Sequence, residues 1–128
     1  MAPAKINLML RITGKREDGF HEILSLVAPI SLHDKLQVSV RQDNNQDTFT
    51  CNHDNLPVGD DNLVLLASSL FKQETGINNA FDFQLQKNIP IGAGLGGGSS
   101  NAIAVLSAMQ QLCEHPLTSE QFYKMASQ

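Results

Sequence analysis

The sequence predicts an α+β fold in which helices pack on a mainly antiparallel sheet. Apolar and polar residues alternate over several stretches in the first half of the chain and again at 80–86, which is typical of half-buried antiparallel strands. Two other stretches, near 62–75 and 100–114, repeat apolar residues every three or four positions, which is the period of a helix with one buried face. Because 128 residues are enough for one hydrophobic core, residues 1–128 are assigned to one domain.

The predicted strands form antiparallel hairpins that are separated by polar turns. They are predicted at 5–12, 20–30, 34–40, 48–51 and 80–86. In the first strand, the apolar face expected to pack on the core consists of Ile6, Leu8, Leu10 and Ile12. Lys5 and Asn7 lie on the opposite face. In the last strand, Phe81, Phe83 and Leu85 are expected to point inward.

The first predicted helix covers residues 62–75 and has recognisable start and stop signals. Asp60 or Asp61 is expected to be its N-cap, and Gly76 is expected to end it. Its apolar stripe consists of Leu63, Leu66, Ala67, Leu70 and Phe71.

A second helix is predicted at 100–114 and ends before Pro116. Its apolar stripe consists of Ala102, Val105, Leu106, Met109, Leu112 and Cys113. Thr118 and Gln121 then match a capping box for a third helix at 119–128, with Leu117 and Phe122 placed to pack against each other. Since the chain stops inside this helix, we expect residues 1–128 to be the front part of a longer protein.

Composition and charge narrow the possible partners. The formal net charge is −4 and the pI is near 5.4, which argues against a nucleic-acid or anionic-membrane binder. No apolar run reaches the ~18 residues of a membrane span, and the N-terminal apolar stretch is interrupted by Asn7 and Arg11, so a cytoplasmic location is expected. Cys51 and Cys113 lack metal-ligand spacing and predict two half-buried thiols. The sequence indicates no oligomeric state.

The most distinctive stretch is PIGAGLGGGSS at residues 90–100. It lacks the lysine that ends the phosphate loop of nucleoside triphosphatases. Gly92, Gly94 and Gly97 match the dinucleotide-binding pattern, but the preceding strand alternates instead of being continuously apolar. A third interpretation requires only a glycine loop that leads into a helix N-terminus, where free N–H groups and the hydroxyls of Ser99 and Ser100 can bind phosphate. Phosphate binding is favoured on this basis, with a nicotinamide-dependent oxidoreductase and a non-enzymatic RNA- or nucleotide-binding module as alternatives.

The motifs taken together resemble the GHMP small-molecule kinases. PIGAGLGGGSSNA is similar to the phosphate loop of that family, and three further motifs occur in family order: PAK followed by Asn7, REDGFH at 16–21 and DDNLV at 60–64. The resemblance implies a ribosomal-protein-like N-terminal lobe, ATP that binds with Mg²⁺, and a small-molecule acceptor. The REDGFH motif resembles the branch whose acceptor is a cytidine-diphosphate-linked methylerythritol, phosphorylated on its 2-hydroxyl. A mevalonate- or homoserine-type kinase is the alternative within the family.

The resemblance also implies roles for individual residues. Lys5 is the catalytic lysine beside the acceptor hydroxyl, and Asn7 binds the methylerythritol hydroxyls. Phe20 and His21 frame the cytosine. A solvated surface lysine is the alternative for Lys5, and a structural histidine is the alternative for His21.

The same resemblance assigns the nucleotide site. Asn62 and Leu63 are expected near the adenine, in addition to a capping role. Lys87 is expected near the nucleotide, with a solvated strand-end lysine as the alternative. The residues expected to hold the phosphates are Pro90, Ile91, Gly92, Ala93, Gly94, Leu95, Gly96, Gly97, Gly98, Ser99 and Ser100.

No metal site of the protein's own is expected, because no His, Cys, Asp or Glu cluster has ligand spacing. Mg²⁺ is therefore expected to arrive with ATP. The family's catalytic base is an Asp in a G-A-D-V-P motif, and this sequence contains no such motif. Asp18 and Asp34 show no context that suggests a substitute. Residues 1–128 alone are therefore expected to be inactive, since the base and the second lobe are absent from them.

Overall fold

A computed structural model of the chain describes every residue except 44–45, 55, 57–58, 60 and 128. It confirms the α+β fold. In chain order, the elements over the described residues are β1 (Ala2–Lys15), β2 (His21–Val40), β3 (Thr48–Cys51), α1 (Leu63–Thr75), β4 (Phe81–Gln86), α2 (Gly97–Leu112) and α3 (Ser119–Ala126).

The four strands form one sheet in the order β1-β2-β4-β3. The β1–β2 and β2–β4 pairs are antiparallel, which confirms the mainly antiparallel sheet. The β3–β4 pair is parallel, whereas the strand at 48–51 was predicted to belong to an antiparallel hairpin. The reason is that α1 lies between these two strands in the chain and crosses over the sheet, so both strands run in the same direction.

The strands predicted at 20–30 and 34–40 are one continuous strand, β2. The strand changes partner along its length and has no turn. Its first part pairs with β1, for example Pro29 with Lys5, and its last part pairs with β4, for example Val38 with Phe83. Asp34, which pairs with Ala2, lies where one partner gives way to the other.

The core lies between the helices and the β4 side of the sheet. It consists of Val64, Ala67, Phe71, Phe81, Phe83, Val105, Leu106, Met109 and Met125, with Leu36, Val38 and Phe49 packed against it. The inward-facing residues predicted for β4 are confirmed. In α2, Val105, Leu106 and Met109 of the predicted apolar stripe are buried, but Leu112 is 45% exposed.

The predicted stripe of α1 is displaced around the helix. Leu63 and Leu66, which were expected in the core, are 44% and 39% exposed, while Val64 and Ser68 are buried. Ser68 is held because its hydroxyl donates to the carboxylate of Asp47 at 2.7 Å. Periodicity alone therefore located the helix, and this hydrogen bond contributes to the choice of which side faces inward.

The first strand contradicts the sequence prediction most clearly. Its apolar face, which was expected in the core, is exposed by 37% at Ile6, 61% at Leu8, 54% at Leu10 and 59% at Ile12. The strand instead contributes Ala2 and Ala4 to the buried set. The helices pack against β4 and the end of β2 that carries Leu36 and Val38, so that the outer part of the β1–β2 hairpin extends past them.

The helix caps are mostly as predicted. Gly76 ends α1 in the left-handed conformation, with φ 74°, and its N–H donates to the carbonyl of Lys72. The N-cap of α1 is Asn62, whose Oδ1 accepts from the N–H of Val64 at 2.8 Å, so the assignment of Asp61 was wrong; Asp60 lies outside the described residues.

The later helices differ from the prediction mainly in their bounds. The second helix, α2, begins three residues earlier than predicted and ends at Leu112, followed by Glu114 at φ 51°. The capping box of α3 is confirmed: Thr118 Oγ1 accepts from the N–H of Gln121, and Gln121 Oε1 accepts from the N–H of Thr118. This helix ends at Ala126, and position 128, included in the prediction, lies outside the described residues.

Both cysteines are half-buried free thiols, as predicted, and burial raises the pKa of Cys113. Among the described residues, no helix combines the length and the apolar character needed to cross a membrane.

The capping box of α3 provides a test of the fold. Thr118→Ala removes the side-chain acceptor for the N–H of Gln121 and should lower the free energy of unfolding by about 1 kcal/mol. Urea unfolding, followed by circular dichroism, measures this change. Ser119→Ala removes a hydroxyl one residue later that makes no cap and should have little effect; equal losses in the two variants would contradict the capping assignment.

Candidate functional site

The glycine stretch forms the connection from β4 into α2 and has an unusual backbone. Gly92, Gly94 and Gly96 all have left-handed φ values, between 69° and 72°, while Ala93 and Leu95 between them do not. Glycine adopts this conformation without the steric cost that a Cβ atom brings. Alternation of left-handed and ordinary residues turns neighbouring N–H groups toward one concave surface, an arrangement that binds anions.

The start of α2 adds further donors to this surface. Gly96 is its N-cap and has no side chain to accept a hydrogen bond, and the first turn contains no acidic residue. The N–H groups of Gly97, Gly98 and Ser99 therefore lack intrahelical partners, and the helix dipole places partial positive charge there. By contrast, side chains cap the starts of α1 and α3. An anion is the complementary ligand for α2.

Gly97 and Gly98 are required for a different reason, namely close packing. A Cβ atom on Gly97 would lie 2.9 Å from Nζ of Lys87 and 3.0 Å from Cγ2 of Ile89. A Cβ atom on Gly98 would lie 2.8 Å from Cδ1 of Leu63. The predicted loop thus divides into glycines that shape the backbone and glycines that allow the first turn of α2 to pack closely.

Lys5 and Asn7 lie beside this loop. The main-chain N–H of Lys5 donates to the carbonyl of Leu95 at 2.9 Å, which joins β1 to the loop. The Lys5 side chain passes alongside Gly96, where a Cβ atom would approach Lys5 Cγ to 3.0 Å. Its Nζ donates to Oδ1 of Asn7 at 3.4 Å, and the Ser25 hydroxyl donates to the same oxygen at 3.2 Å. The two residues therefore share a face, as predicted, and the lysine lies next to the N-terminus of α2.

Cavities adjoin the loop on both sides, and three of them are distinguished by their lining residues. The largest, about 910 Å³, is a cleft between α2 and the strands β1 and β2, and Lys5, Gly96, Ser99 and Ser100 lie at one end of it. A second, about 330 Å³, is lined by residues 90–99 together with Lys87. The third, about 160 Å³, is lined by Asn62, Leu63, Val64, Leu85, Lys87, Gly98 and Asn101, among others. The loop thus separates the Lys5 cleft from the two smaller cavities beside Lys87.

Lys87 is not the solvated strand-end lysine that the sequence left as an alternative. Its side chain is only 5% exposed. The ammonium donates to Oδ2 of Asp34 and to the carbonyl of Ile89, both at 2.7 Å. It therefore lies directly beneath the start of α2, against Gly97.

Asp34 is the residue that the sequence analysis missed. Its carboxylate is fully buried and accepts hydrogen bonds from Lys87 Nζ, from the N–H groups of Asn88 and Ile89, and from Asn101 Nδ2. Burial alone would raise the pKa of Asp34, but these hydrogen bonds together outweigh it and hold the pKa below its ordinary value. The one signal in the sequence was an acidic residue at the first position of the strand predicted at 34–40.

Phe20 and His21 lie at the turn of the β1–β2 hairpin, and the structure does not bring them to the loop. The turn is closed by hydrogen bonds from the N–H of Arg16 to the carbonyl of Phe20 and from the N–H of Phe20 to Asp18. Phe20 is 73% exposed, and neither residue lines the cleft beside Lys5. Their assignment to the cytosine stays a prediction.

Within the described part of the chain, no three His, Cys, Asp or Glu side chains are close enough to hold a metal ion. Nδ1 of His33 forms a hydrogen bond with the carbonyl oxygen of Ser31 at 2.7 Å. The donors present beside the loop are main-chain N–H groups, hydroxyls and ammonium groups, which suit an anion such as a phosphate chain.

Comparison with known proteins agrees with these features. Residues 62–128 match the family model of the GHMP kinases N terminal domain. The chain is 47% identical over 111 residues to the chloroplastic 4-diphosphocytidyl-2-C-methyl-D-erythritol kinase of Arabidopsis thaliana, an alignment that covers 87% of this chain and 29% of that protein. It is 45% identical over 127 residues to the 4-diphosphocytidyl-2-C-methyl-D-erythritol kinase of Protochlamydia amoebophila, covering 99% of this chain and 43% of that protein.

A crystal structure of 4-(cytidine 5'-diphospho)-2C-methyl-D-erythritol kinase matches with a TM-score of 0.77 and 38% identity, covering 97% of this chain and 44% of that chain. The chain therefore spans less than half the length of each of these three relatives. The similarity that the motifs indicated is confirmed, as is the N-terminal lobe fold.

The lowered pKa of Asp34 makes a prediction about stability and pH. A carboxylate with a depressed pKa in the folded state contributes stability above the ordinary Asp pKa of about 3.9, and this stability is lost as the pH falls toward the folded-state value. Asp34→Asn should lower the free energy of unfolding near neutral pH by about 3 kcal/mol and flatten its decline below about pH 4.

Urea unfolding over a pH series measures both effects. Asp54→Asn, at an exposed position, is the matched control and should leave the unfolding curve nearly unchanged. If Asp34→Asn kept the wild-type dependence on pH, the pKa of Asp34 would not be lowered in the folded protein.

Proposed function

From the premise that the chain belongs to the GHMP kinase family, we propose that it forms the nucleotide-binding part of an ATP-dependent small-molecule kinase. The observation that carries the proposal is the left-handed glycine loop, which leads into the uncapped start of α2 with Lys5 beside it. In the whole protein, the reaction is transfer of the γ-phosphate of ATP to the 2-hydroxyl of 4-diphosphocytidyl-2-C-methyl-D-erythritol.

The choice of acceptor rests on similarity. Relatives named 4-diphosphocytidyl-2-C-methyl-D-erythritol kinase are 47% and 45% identical to the chain, over 87% and 99% of its length respectively. The two alternatives from other classes lose support. A nicotinamide-dependent oxidoreductase would favour a doubly wound parallel sheet, whereas this sheet is mainly antiparallel. An RNA-binding module would favour a basic surface, whereas the net charge is −4.

The loop and the start of α2 are the part of the chain that would hold the phosphates. Their N–H groups are fixed by the backbone before a ligand arrives, so little ordering cost remains when an anion binds. ATP supplies the phosphoryl group, and Mg²⁺ bound with it neutralises charge on the phosphates. Asn62, Leu63 and Lys87 line the smaller cavities on the other side of the loop and would receive the adenine end of the nucleotide.

The proposed role of Lys5 is to act on the acceptor. Its ammonium lies next to the N-terminus of α2, in the cleft between α2 and the strands. A positive charge beside the acceptor hydroxyl lowers the free-energy cost of removing its proton and offsets charge on the transferring phosphoryl group. Asn7, whose Oδ1 accepts a hydrogen bond from Lys5 Nζ, would orient the acceptor hydroxyls.

The general base would come from a part of the relatives that this chain does not span. Asp34 cannot serve, because it is fully buried and both its oxygens are occupied. Asp18 is paired with Arg16 at the turn of the hairpin. In the proposed reaction the acceptor oxygen bonds to the γ-phosphorus, the bond from the γ-phosphorus to the β–γ bridging oxygen breaks, and the acceptor proton passes to that base.

A cytoplasmic location stays a prediction, and the Arabidopsis relative is named as chloroplastic.

The role of Lys5 can be tested in the full-length enzyme that contains this chain. Lys5→Ala should lower kcat by about two orders of magnitude or more and leave the affinity for ATP nearly unchanged, because the ammonium acts on the reacting oxygen. Steady-state kinetics and a separate ATP titration measure the two effects. Lys35→Ala, at an exposed lysine of β2 that does not line the cleft, is the control. Equal loss of kcat and ATP affinity at Lys5 would indicate a structural lysine.

The phosphate loop can be tested by binding alone. Gly96→Val places a β-branched side chain at φ 69°, with its Cβ atom 3.0 Å from Lys5 Cγ, so both the backbone and Lys5 must move. Calorimetric titration with Mg-ATP should show affinity weakened about tenfold or more. Gly59→Val is the matched control, since Gly59 has no left-handed φ and its Cβ position is open. Equal ATP binding by wild type and Gly96→Val would refute the phosphate-loop assignment.

A further inference from the structure

We propose that Asp34 is a positioning residue for the phosphate loop: its carboxylate ties the entry of the loop, Asn88 and Ile89, to its exit, Asn101, and holds Lys87 beneath the start of α2. The proposal deepens the proposed function and rests on it. Three observations support it: the distribution of the hydrogen bonds to Asp34, the chemistry of their donors, and the position of Asn101.

The distribution of the bonds links the two ends of one loop. The N–H groups of Asn88 and Ile89 donate to Oδ1 of Asp34 at 2.7 Å and 2.8 Å, immediately before the loop begins. Asn101 Nδ2 donates to Oδ2 at 3.0 Å, in the first turns of α2 immediately after the loop ends. Asp34 itself lies on β2, more than fifty residues away in the chain, so the loop is fixed from outside at both of its ends.

Only a carboxylate meets the needs of these partners. Oδ1 accepts two main-chain N–H groups, and Oδ2 accepts the Lys87 ammonium and the Asn101 amide. Every partner is a donor, and an ionised carboxylate is an acceptor on both of its oxygens. An asparagine at position 34 would point an NH₂ group at one of these pairs of donors, whichever way its amide were turned. One end of the loop would therefore lose its attachment.

The negative charge of Asp34 contributes to the loop in addition to its hydrogen-bond acceptors. The Lys87 ammonium lies beneath Gly97, close to the positive end of the α2 dipole. Two positive centres this close repel each other unless a negative charge lies beside them. Asp34 provides that charge at 2.7 Å and leaves the N–H groups at the start of α2 available to a ligand.

Asn101 distinguishes a functional network from one that only stabilises the core. Because Asp34 accepts from Nδ2, the orientation of the amide is set, and Oδ1 is buried without a hydrogen-bond partner among the described residues. Leaving a buried acceptor unpaired is unfavourable, because its lost contact with water is not replaced. Asn101 lines the 160 Å³ cavity together with Leu63 and Lys87, so the network reaches the wall of a cavity beside the loop.

The fold contains a matched control for this proposal. Asp47 accepts hydrogen bonds from the Ser68 hydroxyl, from Lys72 Nζ and from the N–H of Phe81 at 2.6–2.8 Å, and its side chain is 15% exposed. It is thus a second carboxylate that joins a lysine and a main-chain N–H, but at the start of β4, whereas the loop follows the end of β4. Loss of stability should be common to both sites, and changes in the loop should be confined to Asp34.

The experiment compares Asp34→Asn with Asp47→Asn in the full-length protein by two measurements. Hydrogen exchange without nucleotide reports on the loop itself. Asp34→Asn should speed exchange at the N–H of Ser100, which donates to Gly96 at the far end of the loop, by about tenfold. Steady-state kinetics should show the KM for ATP raised about tenfold, with the KM for the acceptor changed less than about twofold. Asp47→Asn should lower the thermal unfolding midpoint and change neither quantity.

The outcomes separate the positioning role from the proposed function. Wild-type exchange at Ser100 and an unchanged KM for ATP in Asp34→Asn would overturn the positioning role. If the wild-type protein transferred no phosphate to the acceptor, the proposed function would fail, while exchange at Ser100 would still decide the positioning role. If Asp34→Asn did not fold, Asn101→Ala, which removes only the attachment at the loop exit, provides the same comparison. It should speed exchange at Ser100 about threefold, and wild-type exchange there would overturn the proposal.

Discussion

The Asp34 carboxylate joins three segments that are distant in the chain: the middle of β2, the residues that follow β4, and the second turn of α2. The rest of the site depends on this junction. Without it, the N–H groups of Asn88 and Ile89 and the Lys87 ammonium would be buried without an acceptor of matching charge. Removing one partner of a buried charged network costs more free energy than a surface ion pair contributes, because the remaining charge stays desolvated. The glycine loop is therefore flanked on both sides by residues that bind this carboxylate.

The two lysines beside the loop differ in whether a carboxylate neutralises their charge. Lys87 is buried and neutralised by Asp34, and it supports the loop from below. Lys5 is half-buried in the cleft, and among the described residues its ammonium donates one long hydrogen bond, to the amide oxygen of Asn7. The positive charge directed toward the cleft is therefore that of Lys5 and of the uncapped start of α2. A polyanionic ligand in contact with the loop meets complementary charge on a surface that is already formed.

The β1–β2 hairpin has a different physical character. Over its outer part, apolar side chains on both strands are exposed, among them Leu8, Leu10, Ile12, Leu24 and Leu26. The register pairs Arg11 with Leu24 but Leu10 with Ser25, so exposed apolar side chains lie on both faces of the hairpin. Extensive exposed apolar surface is typical of surfaces that contact another part of a protein or a partner. Two of the relatives are more than twice as long as this chain, because their alignments with nearly all of this chain cover only 43% and 44% of their own length. Alternation in the sequence indicated a strand with one buried face, and the described chain does not itself bury that face.

What the sequence determined by itself is local. The strand and helix periods, the stop at Gly76, the capping box of Thr118 and Gln121, and the glycine-rich lead into α2 at residues 90–100 all follow from residues within a few positions of one another. Tertiary structure decided the features that join distant residues: the continuity of β2 through Asp34, the parallel pairing of β3, the inward side of α1 and the burial of Lys87. The physical reason is that a charged side chain is buried only where its partners converge. The donors to Asp34 lie 53 to 67 residues away in the chain, beyond the reach of any local pattern.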